Sequence, residues 1–307
     1  MKTNKFFMGA LFCALVVGLS GCNGNDPEQN GSNSTNGGGQ TENPGGVTKL
    51  DKSSGCLNGS FSVAKGKYVR FSMGNLQYTQ STQTWSFAKN QYDMIGEDNV
   101  IKVEDEYGYD DYALADKIDL FGWSGSTGVA TWGISISEDY NDYSGDFKDW
   151  GQNAISNGGN KANQWRTLTK DEWEYLINDR PNASSLQGVA SVNGVNGLIL
   201  LPDGWKQPNG VSFKSGFDWD ADYADYQTFT LDQWSKLESA GAVFLPASGD
   251  RYGTVVYDVG YGGNYWSATP SGEDNAWYLG FGFGGADMYD YIGRSRGLAV
   301  RLVRDVK

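Results

Sequence analysis

The sequence predicts an α+β domain over residues 56–307, with two main helices at about 169–180 and 230–240 among many short strands. Three observations carry that expectation. From Cys56 onward the texture is uniform, with short runs of β-branched and aromatic residues punctuated by Gly, Asn and Asp. Two segments open with capping-box patterns, Thr169-Lys-Asp-Glu172 and Thr230-Leu-Asp-Gln233. These segments also follow one plan, since TKDEWEYL (169–176) and TLDQWSKL (230–237) share Thr-x-Asp-x-Trp-x-x-Leu. Each is followed by an apolar strand ending in Leu-Pro, GLILLPDG (197–204) and GAVFLPASG (241–249). Two copies with unequal spacers do not make a solenoid. They suggest two helices packed against a common sheet region.

Taken in order, Gly59–Val63, Tyr68–Ser72, Asn75–Tyr78 and Trp85–Ala88 alternate like half-buried strands. The first helix places Trp173, Leu176 and Ile177 on one face. The second places Trp234 and Leu237 together and stops at Gly241. WYLGFGFGG (277–285) alternates strictly. Trp277, Leu279, Phe281 and Phe283 are expected in the core, and Tyr278, Gly280, Gly282 and Gly284 on the opposite face. Trp173, Trp234 and Trp266 are expected to bury large surfaces. Arg301 and Arg304 alternate with Leu302 and Val303 and are expected to pair with acidic side chains.

The amino terminus reads as an address. Lys2 and Lys5 precede an apolar run from Phe6 to Leu19 that is too short to span a bilayer comfortably. The run ends in Leu19-Ser20-Gly21-Cys22, which resembles the lipobox of bacterial lipoproteins. That resemblance implies a signal peptide over residues 1–21 and acylation of Cys22. With roughly 0.8 kcal/mol per buried methylene, two or three acyl chains would anchor the protein essentially permanently. Residues 22–55 then form a tether, without aromatic residues up to Gly46, with a reach of roughly 30 Å.

Composition excludes whole chemistries. The chain has 307 residues, a net charge of −13 and no histidine. The charge argues against a nucleic-acid partner. Without imidazole, Ser-His-Asp and Cys-His machinery and His-ligated zinc or iron sites cannot be built. Of three cysteines, Cys13 leaves with the signal and Cys22 is the acylation site, so no intrachain disulfide is available to Cys56. Cys56 is either a buried small hydrophobe or an exposed thiol.

The helical signature has a family resemblance. Arg166-Thr-Leu-Thr169-Lys-Asp-Glu172-Trp173-Glu174-Tyr175-Leu resembles the Arg-Leu-Pro-Thr-Glu-x-Glu-Trp-Glu-Tyr signature of the formylglycine-generating (sulfatase-modifying) branch of the C-type-lectin fold. Asn264-Tyr-Trp266-Ser, Ala276-Trp-Tyr-Leu279 and Arg294-x-x-Gly297-x-x-Val300-Arg-Leu-Val-Arg304 follow in the same order. Together these are similar to the FISUMP, or major paralogous domain, lipoproteins, and to targets of diversity-generating retroelements with a variable C-terminal ligand face. The resemblance covers roughly residues 56–307. It implies a C-type-lectin-like fold of mostly antiparallel short strands. Its oxidases hold copper with a cysteine pair, and its iron-dependent relatives use histidines. This domain has only Cys56 and no histidine, so the resemblance implies the fold without the enzymology, and no cofactor.

The segment from Arg251 to Ser295 holds the candidate ligand contacts: Tyr257, Tyr261, Asn264, Ser271, Asp274, Tyr278, Gly280, Gly282, Asp287, Tyr289, Asp290 and Tyr291. Tyr, Ser, Gly, Asn and Asp offer rigid aromatic area with adaptable hydrogen bonds, as paratopes do. They are also common outcomes of randomising adenines in an Asn-type codon. The plainer reading is a solvated turn region in a glycine-rich β protein. Three acidic-aromatic clusters, at 104–116, 137–150 and 218–226, read as solvated loops. None has EF-hand form, because the twelfth residue from Asp218 is Phe229 and the sixth is Tyr223. Aromatic rings beside carboxylates also describe sugar clefts. A carbohydrate-active enzyme or glycan-binding module therefore stands as the alternative, and a structural adhesin as a third. The favoured expectation is a monomeric lipoprotein at the outer membrane, binding a protein or glycan and touching the membrane only through its acyl anchor.

Overall fold

The computed structural model describes residues 46–49, 52–218 and 226–306. The expected signal segment, Cys22 and most of the tether lie outside these, as does 219–225 of the third acidic cluster. Paired backbone begins ahead of residue 56: Val47 bridges Gly59, and the Thr48 amide donates to the Asn58 carbonyl at 3.1 Å.

The first strands fall where alternation places them, at Phe61–Ala64, Lys67–Phe71, Leu76–Thr79 and Thr84–Phe87. Lys67–Phe71 sits between Phe61–Ala64 and the C-terminal strand Val303–Asp305, antiparallel to both. A second sheet runs in the order Gln227–Phe229, Gln187–Val192, Val195–Leu200, Val243–Pro246. Its last two strands are the Leu-Pro segments of the duplicated plan, paired Leu198 to Leu245 and Ile199 to Phe244.

Side-chain alternation on this sheet separates the two helices. Leu198, Leu200, Val243 and Leu245 share a core with Trp173, Leu176 and Ile177 of the first helix. Ile199, Leu201 and Phe244 share another with Trp234 and Leu237 of the second. The common sheet region is therefore real, with one helix on each face. Both capping boxes form, with Thr169 Oγ1 accepting from the Glu172 amide and Thr230 Oγ1 from the Gln233 amide, each at 3.3 Å. The second helix spans Leu231–Ser239 as expected. The first is α-helical only over Lys170–Glu174 and widens into a π turn over Tyr175–Asp179.

A five-stranded sheet carries the C-terminal region, in the order Gly285–Tyr289, Asn275–Gly282, Gly263–Ser271, Leu298–Ala299, Leu120–Phe121. The side of it that carries Trp266 packs into an aromatic core with Trp85, Trp123, Trp150 and Trp165. Four of its indoles donate to carbonyls, among them Trp266 Nε1 to Phe121 at 2.7 Å and Trp123 Nε1 to Ser267 at 3.1 Å. The mostly antiparallel strands and two helices make this an α+β domain.

Several expectations are corrected. Among the described residues Arg301 pairs with no carboxylate: its guanidinium donates to Asn75 Oδ1 at 3.2 Å and Gln91 Oε1 at 2.8 Å, fully buried. Arg304 binds the Gly158 carbonyl and Gln164 Oε1 and stacks on Trp165. A buried strand end offers amides and carbonyls where a surface strand would offer carboxylates. The 137–150 segment is not simply a solvated loop. It buries Tyr143 and Trp150 completely, and Asp149 accepts from the amides of Gly151 and Thr167. Cys56 lies between its two readings, half-buried against the aromatic core, with burial pushing its thiol pKa up.

Candidate ligand-binding face

Strand register builds the face. Asn275–Gly282 lies between Gly263–Ser271 and Gly285–Tyr289, and directly opposed residues point to the same side of an antiparallel sheet. Trp266, Tyr278 and Tyr289 form one cross-strand row. Asn264, Gly280 and Asp287 form the next, and Gly282 faces Gly285 beyond it. The core side of the same strands is set by Leu279, Phe281 and Met288. Gly263 is required there, since a Cβ would stand 2.0 Å from the Phe281 ring.

A cavity of about 630 Å³ opens over this surface. It brings together eight of the candidate contacts: Tyr261, Asn264, Tyr278, Gly280, Gly282, Asp287, Tyr289 and Tyr291. The rings of Tyr278, Tyr289 and Tyr291 form a mutual cluster with centroids 5.6–5.9 Å apart. Tyr291 and Tyr261 are 68% and 59% exposed, so their rings are offered to solvent while Asn264 and Asp287 supply polar groups. Tyr278 is corrected from open contact to foundation. It is 2% exposed, edge-on to Trp266 and covered by Tyr289 and Tyr291. Burial first, then its hydrogen bond to Tyr291, pushes its hydroxyl well above the usual phenol range. Burial and the nearby Asp287 raise Tyr289 as well.

The glycine strip is also only partly bare. A Cβ on Gly280 would meet the Tyr289 ring at 2.9 Å, so this glycine makes room for a tyrosine. Over Gly282 the nearest atom would be the Tyr261 carbonyl at 3.7 Å, and this is where backbone lies open. The strand ends at Gly282, which puts Phe283 and Gly284 in the hairpin turn rather than in alternating positions.

Four candidates lie outside the cavity. Tyr257 sits on the short strand Val255–Tyr257, its ring 5.7 Å from the Arg296 guanidinium, which also stacks on Tyr252 and binds Asp250. Asp274 lines a separate polar cavity with Arg294. Ser271 Oγ and Asp290 Oδ2 face each other at 3.4 Å across the strand ends. Sequence reasoning missed Gly262, Gly285 and Ala286 in the lining, and noted Asp258 only as the neighbour of Tyr257, outside the candidate set. Asp258 has φ +56, and its carbonyl accepts from the Tyr261 and Gly262 amides at 2.9 and 3.0 Å, shaping the loop that carries Tyr261. The Asp-Val-Gly-Tyr-Gly-Gly run was its only signal.

Rings beside amide and carboxylate groups over open backbone can bind by stacking, shape and hydrogen bonding. Among the described residues, no three metal-ligating side chains come together. No protein-family model matches the chain, and neither a similar curated protein nor a similar solved structure is found.

Proposed function

We propose that this protein is a lipoprotein that displays a C-type-lectin-like domain at the cell surface and captures a protein or glycan ligand on the tyrosine-rich face. One observation carries the reading: three paired strands and one loop bring Tyr261, Asn264, Asp287, Tyr289 and Tyr291 around a single cavity. Recognition rests on exposed rings held by a buried tyrosine, with polar groups at the rim. The acylated Cys22 and its tether hold the domain at the outer membrane. Diversification of residues 250–296 by a retroelement fits the Tyr, Asn, Asp and Gly make-up of the lining.

The test is a glycan array and a displayed-peptide library probed with the wild-type chain and with Tyr291→Ser and Tyr261→Ser. Hits should weaken about tenfold or more in both variants while circular dichroism stays unchanged. Hits retained by both variants would overturn the face, and release of reducing sugar from a polysaccharide would replace binding with hydrolysis. A reverse-transcriptase gene beside a near-duplicate of the 250–296 coding region, differing mainly at adenines, is expected nearby. Its absence removes the diversification and leaves the binding face standing.

A further inference from the structure

The first acidic-aromatic cluster folds into a hairpin that meets the core only at its base. Val100–Glu104 pairs with Asp110–Leu114, and among the described residues this two-stranded sheet joins no other. Both outer edges therefore carry backbone groups without strand partners. An isolated two-stranded hairpin is at best marginally stable in water. Here only the base is tied down: the Ala115 amide donates to the Asn99 carbonyl at 3.0 Å, and Leu114 packs against the aromatic core.

The rest stands in solvent and is apolar where solvent is least welcome. Tyr107, Tyr109 and Tyr112 are 76%, 71% and 46% exposed, and Ile101 is 44% exposed. The tip is ordered. Asp105 Oδ1 accepts from the Tyr107 and Tyr109 amides at 2.9 and 2.7 Å, and the Asp105 amide donates to the Tyr109 carbonyl at 2.8 Å. Exposed tyrosines on a pre-organised turn lose little further freedom on binding.

Charge selects the occupant. The same two strands and their turn carry Glu104, Asp105, Glu106, Asp110 and Asp111 against a single cation, Lys102, which is ion-paired to Asp110 at 2.7 Å. A second copy, at −13, would be repelled. The chain's own 22–45 segment carries Asp26, Glu28 and Glu42 with no Lys or Arg, so it is repelled too. We propose that the 100–114 hairpin is a second docking surface, separate from the tyrosine-rich cavity, and that it receives an extended basic polypeptide segment of another protein. The segment adds to an open strand edge and sets its Lys or Arg side chains against the acidic ring and the tyrosine faces.

The probe is a ten-residue peptide alternating Lys and Val, labelled for fluorescence anisotropy and added to the full chain. Asp110→Lys/Asp111→Lys and Tyr107→Ser/Tyr109→Ser should each weaken its binding about tenfold. The same charge change at exposed sites elsewhere, Asp171→Lys/Glu273→Lys, should change it less than about twofold. Hydrogen exchange should show peptide-dependent protection confined to 100–114. Equal loss in the distant charge variant, protection elsewhere, or no binding at all overturns the proposal.

Discussion

Asp119 is completely buried, with its carboxylate accepting from the Ile95 amide at 2.9 Å and from Asn99 Nδ2 at 2.8 Å. Burial outweighs these donors and the field of Lys117, and raises its pKa from 3.8 to about 6. The folded protein thus holds this proton more tightly than the unfolded chain does. Stability from this group is complete below pH 4 and is lost as pH rises through about 6, at most about 3 kcal/mol. Melting temperatures measured between pH 4 and 7 should fall with rising pH by this contribution. Asp119→Asn should flatten that slope and cost about 1–3 kcal/mol at pH 5, because an amide nitrogen would face one of the two donors. Two tyrosines of the face divide in the same way by burial. Tyr278→Ala, which opens a hole beside Trp266, should cost about 3–5 kcal/mol in a denaturant titration. Tyr291→Ala should stay within about 0.5 kcal/mol.

At the scale of the element, the Asn275–Tyr289 hairpin shows how two glycines on one strand face do different work. Gly280→Ala pushes the Tyr289 ring aside and should disturb the ligand face with a modest loss of stability. Gly282→Ala makes only an ordinary van der Waals contact with the Tyr261 carbonyl and should fold like the wild type, placing a methyl on the open backbone. Probe binding compared with melting temperature for the two variants separates ring placement from backbone access. The alternation of 277–282 was legible in sequence. The ring lying over Gly280 was not, because it depends on Tyr278 facing Tyr289, a register that no local pattern records. The helices show the converse. Their caps were readable because a capping box is local, whereas the π turn at Tyr175–Asp179 lies beyond any local signal in the sequence.

At the scale of the whole molecule, residues far apart in sequence close the fold. The Arg166 and Val303 backbones exchange two hydrogen bonds, at 2.9 and 2.8 Å, while Val303–Asp305 pairs with Lys67–Phe71. The Arg166 guanidinium grips Glu172 with both terminal nitrogens and also binds Asp305 at 2.7 Å. The two ends of the sequence signature thus meet in one architectural knot. Removing residues 303–307 should abolish cooperative unfolding by circular dichroism, because it strips a central strand of its partner. Starting the chain at residue 46 should leave the melting temperature within about 2 °C, since among the described residues paired backbone starts at Val47.

Composition and local chemistry determined much by themselves: an α+β class, two capped helices, tryptophans in the core, and no histidine with which to build an imidazole site. These follow from short-range rules of propensity, capping and side-chain inventory. Tertiary structure alone decided which candidates share a cavity, that Tyr278 supports the face rather than meeting solvent, and that Arg301 is held by amides. It also decided that the helices take opposite faces of one sheet. Each of these depends on strand register and burial between residues tens to hundreds of positions apart, which only the folded chain brings together.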